Sequence, residues 1–344
     1  MASLRIAQLM ASGSVVGGLE KHFVDLCGGL SAEHQVLALA DPMHAAALPS
    51  VVEFCPFDFS GSRRNPFTLL RIHRLLKSFQ PDVIHAQANK AAGIVRAIRY
   101  FSNSKRIATV HNIKRNNRVF NSFDAVICVS SAVRDQSGLQ NAQVILNGIA
   151  PPARLAVEPS YFQQQFGLTG RRKVCLAVGR LAKAKGFAGL IRAWGGIDAD
   201  LVIAGEGTER AELESLIKQH NLHGTVHLVG FRSDIPRLMT NADLLVISSE
   251  REGFPYVMVE ALHFQKIIVS TRFPGASDLL PEQFLVPYGD EQQLRQRVQQ
   301  TLAAPDRACT EYQATWKRAH SQLTVEQMVC RTTQVYSRVL RRAA

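Results

Sequence analysis

From Leu4 onward the chain alternates short, continuous apolar runs with stretches whose apolar residues recur every three or four positions. The short runs, rich in branched residues, read as strands covered on both faces. In the first part they are Arg5–Met10, Gln35–Ala40, Val83–His85, Ile107–Val110, Ala125–Val129 and Gln143–Leu146. Gly18–Gly29, Pro66–Phe79 and Lys90–Tyr100 carry helical spacing between them. A break follows at Pro151-Pro152-Ala153-Arg154, with polar residues through Glu158-Pro159-Ser160. The alternation then resumes with Lys173–Val178, Ala199–Ala204, Val226–Val229, Leu244–Ile247 and Ile267–Val269. Strands and helices in this rhythm build open parallel sheets. The pattern predicts an α/β protein of two doubly wound, Rossmann-like domains, residues 1–150 and 151–325, facing a ligand cleft. The last basic helical stretch, within residues 326–344, is expected to return to the first domain.

The most informative run follows Ala242-Asp243-Leu244-Leu245-Val246-Ile247. It reads Ser248-Ser249-Glu250-Arg251-Glu252-Gly253-Phe254-Pro255-Tyr256-Val257-Met258-Val259-Glu260-Ala261-Leu262. Gly253 allows a turn that other residues resist, and Pro255 suits the first helical position, where its missing N–H costs nothing. The unit is a strand, a Glu-Gly-Phe-Pro turn and a helix. It sets a helix N-terminus at the C-terminal edge of a parallel sheet, a place that favours phosphate. Glu252 falls in the turn and Glu260 in the helix. These carboxylates can accept hydrogen bonds from the hydroxyls of a sugar and a ribose. The run reads as a holder for a nucleotide sugar.

With 344 residues, 46% hydrophobic and 20% charged, the chain has the balance of a soluble globular protein rather than a disordered one. No stretch approaches the roughly 20 uncharged apolar residues that span a bilayer. Near the start, Gln8, Ser12, Gly13 and Ser14 interrupt the apolar residues, so no signal peptide is expected and a cytoplasmic location is. Cys27, Cys55, Cys128, Cys175, Cys309 and Cys330 form no C-x-x-C pair and read as buried free thiols. The net charge is +12, and residues 1–150 hold 16 Lys and Arg against 9 Asp and Glu. Much of that excess lies in Arg63, Arg64, Arg71, Arg74 and Lys77, and in Lys114, Arg115 and Arg118. Such clusters are either a solvated face or a surface for an anionic membrane or glycolipid. The latter would make the protein peripheral on the inner face of the plasma membrane. No zinc-finger spacing or aromatic RNA-binding consensus accompanies them, and nucleic acid is not an expected partner.

Weaker motifs remain. Gly13 to Glu20, with Gly17 and Gly18, is a glycine-rich turn without dinucleotide or P-loop spacing, as compatible with a structural turn as with a diphosphate. Gly205-Glu206-Gly207 has Arg210 where a third glycine would stand. Arg180 follows one strand and Lys185 begins a helical run, which suits neutralising a diphosphate leaving group. His85 and His111 each end a strand on the presumed cleft side. His220, His223 and His227 span different elements and make a poor metal cluster. Asp198-Ala199-Asp200 reads as a surface turn, and neither a metal site nor a cofactor is expected.

Taken together, these pieces resemble the retaining family 4 glycosyltransferases, which have the two-domain GT-B fold. The resemblance covers nearly the whole chain. It is carried by VGRLAKAKGFAGLIRAW, LVIAGEGTERAEL, the run from Val226 to Leu262 and VPYGD. Earlier come GGLEKH, DVIHAQANKAAG, TVHNI, CVSSAVRD and VILNGI. The resemblance implies that Glu252 contacts the donor sugar and Glu260 the ribose, while Arg180 and Lys185 hold the diphosphate. Gly253, Phe254 and Pro255 would offer backbone, and Phe231 and Arg232 would lie beside the base near Gly205. Gly17 and Gly18 would close over the phosphates, His111 would approach sugar and acceptor, and His85, Lys114 and Arg115 would serve the acceptor side. Gln87, Gln265, Ile267 and Asp278 depart from the family pattern. The function implied is transfer of a sugar from a nucleotide diphosphate sugar, UDP-sugar foremost, to a glycolipid or lipid-linked glycan in envelope polysaccharide synthesis. A nucleotide-sugar epimerase on the same fold and a non-catalytic sugar-nucleotide-binding protein are the rivals.

Overall fold

The computed structural model describes residues 3–12, 17–59, 61–62, 65–99, 103–112, 117–139 and 141–341. The chain divides into two compact units, Met1–Ala150 with Gln322–Ala344, and Pro151–Ser321. Unit 1 begins with β1 (Arg5–Met10), α1 (Gly18–Leu30), β2 (Gln35–Ala40) and β3 (Glu53–Pro56). It continues through α2 (Pro66–Phe79), β4 (Val83–Gln87), α3 (Ala88–Ala97) and β5 (Lys105–Val110). Then come β6 (Ala125–Cys128), α4 (Ser131–Gln136) and β7 (Gln143–Val144). The parallel strands lie in the order β3-β2-β1-β4-β5-β6-β7.

Unit 2 starts with α5 (Tyr161–Phe166), β8 (Lys173–Val178), α6 (Phe187–Ala193), β9 (Ala199–Ala204) and α7 (Arg210–Gln219). It goes on to β10 (Val226–Gly230), α8 (Ile235–Asn241), β11 (Leu244–Ile247), α9 (Tyr256–His263) and β12 (Ile268–Thr271). It ends with α10 (Pro274–Ser277), β13 (Leu285–Val286), α11 (Glu291–Ala303) and α12 (Pro305–Gln322). Its parallel order, β10-β9-β8-β11-β12-β13, reverses direction between β8 and β11. The corresponding reversal in unit 1 falls between β1 and β4. Ligands of such sheets bind outside the carboxyl ends of the strands at these reversals.

The final helix, α13 (Val325–Arg341), belongs to unit 1. Its Met328, Val335, Tyr336 and Val339 join one core with Phe23, Leu26 and Leu30 of α1 and with Ile6 and Val36 of the sheet. The return is tight: Ile149 bridges Thr324, and a Cβ on Gly148 would stand 2.1 Å from the Thr324 carbonyl oxygen. Elsewhere α2 starts on an Asn65 cap, whose side chain accepts from the Phe67 and Thr68 amides, followed by Pro66 at the first turn. It buries Ile72, Leu76 and Phe79.

Several elements depart from the sequence reading. β3 has only four residues with Glu53 and Pro56 at its ends, too short and mixed to register as an apolar run. β13 has two residues. β4 runs two residues past His85, so that histidine lies inside a strand and not at its end. Asp200 is not in a surface turn. It sits in β9 at 3% exposure, with Arg172 and His227 nitrogens each 3.6 Å from it. Of the six free cysteines, Cys27, Cys128 and Cys175 are buried, but Cys55 and Cys309 are half-buried and Cys330 is exposed.

The Gly148 contact makes a prediction. Its neighbour is backbone and cannot rotate away, so Gly148→Ala should destabilise the protein by about 1–3 kcal/mol, as overpacking does. Gly61→Ala is the control, because nothing lies within 4 Å of its added Cβ. Urea denaturation of both variants reads the difference.

Candidate active site

At the unit 2 reversal, the loop after β8 carries Gly179 and Arg180, then one tight turn, Lys183–Lys185. Lys185 thus closes a short turn instead of opening a helix, and α6 starts only after Gly186. Gly186 has φ +67°, and a Cβ there would stand 2.1 Å from the Ser248 carbonyl oxygen. Only glycine permits this approach of the β8 loop to the β11 turn. Two hydrogen bonds fasten it: Ser248 Oγ donates to the Lys185 carbonyl at 2.9 Å, and the Glu250 amide to the Ala184 carbonyl at 2.9 Å. The consequence is a charged contact across the two loops. Lys185 Nζ lies 2.5 Å from Glu252 Oε1, which also accepts from Ser249 Oγ at 3.1 Å. Both side chains are mostly covered, 25% and 16% exposed. Removing one partner of such a pair leaves the other poorly solvated. Arg180 is exposed and makes no ion pair among the described residues.

Gly253, Phe254 and Pro255 are buried between the Glu252 turn and α9. A Cβ on Gly275 would come within 2.4 Å of the Gly253 carbonyl oxygen, so the turn is backed by α10. Pro255 does not occupy the first helical position. It is the N-cap, in extended conformation, and α9 begins at Tyr256 with no side chain capping it. Glu260 is half-buried in α9. Gly186 and Ser248 also line a cavity of about 530 Å³, together with Lys183, Glu209, Tyr288 and Asp290 among others.

Gly205, at φ +152°, lets the β9 loop pass so close that a Cβ would meet the Gly179 carbonyl oxygen at 1.9 Å. Beyond β10, Phe231 projects with 78% exposure, directly after Gly230 at φ +74°. Arg232 is committed elsewhere. Its guanidinium donates to both Asp234 oxygens at 2.7 and 2.6 Å and to Gln165 at 3.0 Å, and lies over the Phe166 ring. The Arg232 guanidinium, with a further bond from Tyr161, holds the Asp234 carboxyl down to about 2. Arg232 is therefore held by partners within unit 2, whereas Phe231 is exposed.

In unit 1, Gly17 caps α1 and Gly18 opens it. His111 follows β5, half-buried, with Nε2 3.0 Å from Gln87 Oε1. The His22 ring of α1 meets it edge-on at 4.7 Å. His22 Nδ1 donates to Asn147 Oδ1 at 3.0 Å, and its Nε2 is buried with no partner among the described residues. His85, expected on the acceptor side, is fully buried, and both ring nitrogens are engaged within unit 1, by Tyr336 and Thr109. It faces no ligand. Lys114 and Arg115 lie outside the described residues, as do Arg63 and Arg64. Among the described residues no group of three or more His, Cys, Asp or Glu could hold a metal. Sequence reasoning missed His22 as a neighbour of His111, although it closes the GGLEKH motif. It missed Tyr336 entirely, since nothing local marks it.

Burial pushes the His22 imidazole down to about 4 and His85 to about 3, and holds His111 well below the usual value. A histidine depressed in the folded state stabilises it fully above the unfolded pKa, near 6.5. That contribution is lost as pH falls toward the folded value. Stability should therefore drop between pH 6.5 and 4, by about 2 kcal/mol at pH 5 for His22 alone. Urea midpoints measured at pH 7 and pH 5 check this, and equal midpoints would contradict it.

Residues 16–151 match the family model of glycosyltransferase family 4, and residues 161–320 that of the group 1 glycosyl transferases. The chain is 25% identical to the lipopolysaccharide core biosynthesis glycosyltransferase LpsD of Rhizobium meliloti over 287 residues, 80% of this chain and 82% of that one. It is 41% identical over 101 residues, 29% of this chain and 28% of the other, to a Campylobacter jejuni N-acetylgalactosaminyltransferase acting on a diphospho-undecaprenol. A glycosyltransferase from Rickettsia africae superposes with a TM-score of 0.87 at 19% identity, covering 99% of both chains. Anabaena HepE, solved with UDP and glucose, superposes with a TM-score of 0.85 at 23% identity, covering 97% of this chain and 99% of that one. The fold is GT-B, and with both halves matched by these models, the chain belongs to the family 4-like glycosyltransferases.

Proposed function

We propose that this protein transfers a sugar from a UDP-sugar to a hydroxyl of a glycolipid or lipid-linked glycan in cell-envelope polysaccharide synthesis, with retained anomeric configuration and without a metal ion. The observation that carries this reading is the Lys185–Glu252 pair at the β8/β11 reversal, with the exposed Arg180 on the same loop after β8. Arg180 and Lys185 hold the diphosphate, Glu252 and the Gly253–Pro255 turn the sugar, Glu260 the ribose, and Phe231 the base. Within unit 1, Gly17, Gly18 and His111 are the residues proposed for substrate contact. The names of LpsD and the Campylobacter transferase support the acceptor class, and the UDP complex of HepE supports the donor.

The chemistry follows from these groups. The bond from the anomeric carbon to the diphosphate oxygen breaks, and the leaving diphosphate takes the proton of the acceptor hydroxyl. The new glycosidic bond forms on the same face. Charge grows on the diphosphate as it leaves, where Arg180, Lys185 and the α9 N-terminus provide the stabilisation. No carboxylate is assigned as a covalent nucleophile.

The basic face gains an apolar component. On α2, Phe67 is 82% and Leu70 46% exposed, beside exposed Arg71, Arg74 and Lys77. A wedge of this kind rimmed by cations suits an anionic bilayer surface. No helix among the described residues is long and apolar enough to cross a membrane. We place the protein in the cytoplasm, peripheral on the inner face of the plasma membrane.

Arg180→Ala and Lys185→Ala should each lower kcat/KM by about two to three powers of ten, if each provides roughly 3–4 kcal/mol to the leaving group. Near-normal values in both would remove the assignment. Activity should survive excess EDTA, and loss restored by Mn²⁺ or Mg²⁺ would overturn the metal-free reading. Flotation with anionic vesicles should decline with salt, since each cation contributes about 1 kcal/mol near the surface. Phe67→Ser with Arg71→Glu should weaken flotation and raise KM for a lipid-linked acceptor, leaving donor KM unchanged. Equal binding to neutral and anionic vesicles would leave α2 an ordinary solvated face.

A further inference from the structure

A chain of hydrogen bonds runs from His111 through the interior of unit 1 to the final helix. His111 Nε2 lies 3.0 Å from Gln87 Oε1. An amide oxygen only accepts, so Nε2 carries the proton. Gln87 Nε2 donates to Gln8 Oε1 at 3.0 Å, and Gln8 Nε2 to the Tyr336 oxygen at 3.0 Å. The Tyr336 hydroxyl is then left to donate to His85 Nδ1 at 2.7 Å, and His85 Nε2 to Thr109 Oγ1 at 2.8 Å. Strand register produces the alignment, since Gln8 pairs with His85 and Gln87 with Thr109 across β1, β4 and β5.

Every link has one direction, and each amide uses its oxygen on one side and its nitrogen on the other. Reversing one amide would set acceptor against acceptor or donor against donor unless both were reversed together. Gln8, His85 and Tyr336 are 0% exposed and Gln87 and Thr109 1%, so water cannot step in to repair a broken link. Which ring nitrogen of a histidine is protonated follows from the bond that the other nitrogen makes.

We propose that Gln87 and Gln8 are positioning residues that lock His111 as the neutral Nε2–H tautomer, leaving Nδ1 as a lone pair for a substrate hydroxyl. This rests on the reading of His111 as a substrate-contacting residue. Gln8 does not touch His111, yet it orients the Gln87 amide that does.

The test is nitrogen-15 NMR of the full chain labelled at histidine, near neutral pH, with His111 identified by the signals lost in His111→Ala. The wild type should show a protonated Nε2 and a bare Nδ1. Gln8→Leu, or Gln87→Leu as the second variant, should give mixed tautomers and lower kcat by roughly ten- to a hundredfold, with donor KM unchanged. Tyr336→Phe should keep the wild-type pattern and kcat, because Gln8 Nε2 also reaches His85 Nδ1 at 3.3 Å. A merely structural role would make loss of the Tyr336 hydroxyl as harmful as loss of Gln8. A wild-type Nδ1–H tautomer overturns the proposal whether or not the variants fold, as does a Gln8→Leu spectrum identical to wild type. If His111→Ala retains full kcat, the substrate role of His111 falls, while the spectra still decide the lock.

Discussion

The approach of two backbone segments, at Gly186 and at the Ser248 carbonyl, is the constraint on which the unit 2 site depends. It exists because β8 and β11 are neighbours where the strand order reverses, so their two loops emerge side by side. Glycine in a left-handed conformation lets them touch, and the touch sets Lys185 against Glu252. In the protein without ligand, each of these charges neutralises the other. In the proposed function a diphosphate would offer Lys185 a stronger anionic partner, and a sugar hydroxyl would offer Glu252 a donor. The pair would then hold both groups in place before a donor binds and reduce the ordering cost.

Unit 1 is organised on the opposite principle. Gln8, Gln87, His85, Thr109 and Tyr336 are buried and satisfy one another, and burial keeps His22, His85 and His111 neutral. In the proposed function, neutral imidazoles would suit sugar and acceptor hydroxyls, and Arg180 and Lys185 a phosphate. The cost is acid sensitivity, because protonating any of the buried imidazoles favours the unfolded chain.

Much of this was legible in the residues. The apolar runs at Arg5–Met10, Gln35–Ala40, Lys173–Val178, Ala199–Ala204 and Leu244–Ile247 coincide with strands, because strands buried on both faces leave a continuous apolar signature. Pro66 and Phe79 bound α2 as read, since the Asn65 cap and the first-turn proline are local signals. What escaped was non-local. Asp234 is two residues from Arg232, but nothing local announces that Gln165, 67 positions away, and Phe166 complete its surroundings. Val83-Ile84-His85 looked like a strand ending in histidine because Ala86 and Gln87 carry little apolar signal, and two further residues turn a surface ligand into a core group. The partnership of Gln8, Gln87 and Tyr336 joins residues more than 300 positions apart, which no spacing rule reaches.

The central claim is that Glu252 recognises the sugar of a nucleotide sugar whose diphosphate is held by its neighbours. Calorimetric titration of UDP and of a UDP-sugar into wild type and Glu252→Gln tests it most directly. The account predicts that wild type binds a UDP-sugar more tightly than UDP, and that Glu252→Gln loses this sugar increment while still binding UDP. An increment of equal size in both proteins would contradict the account.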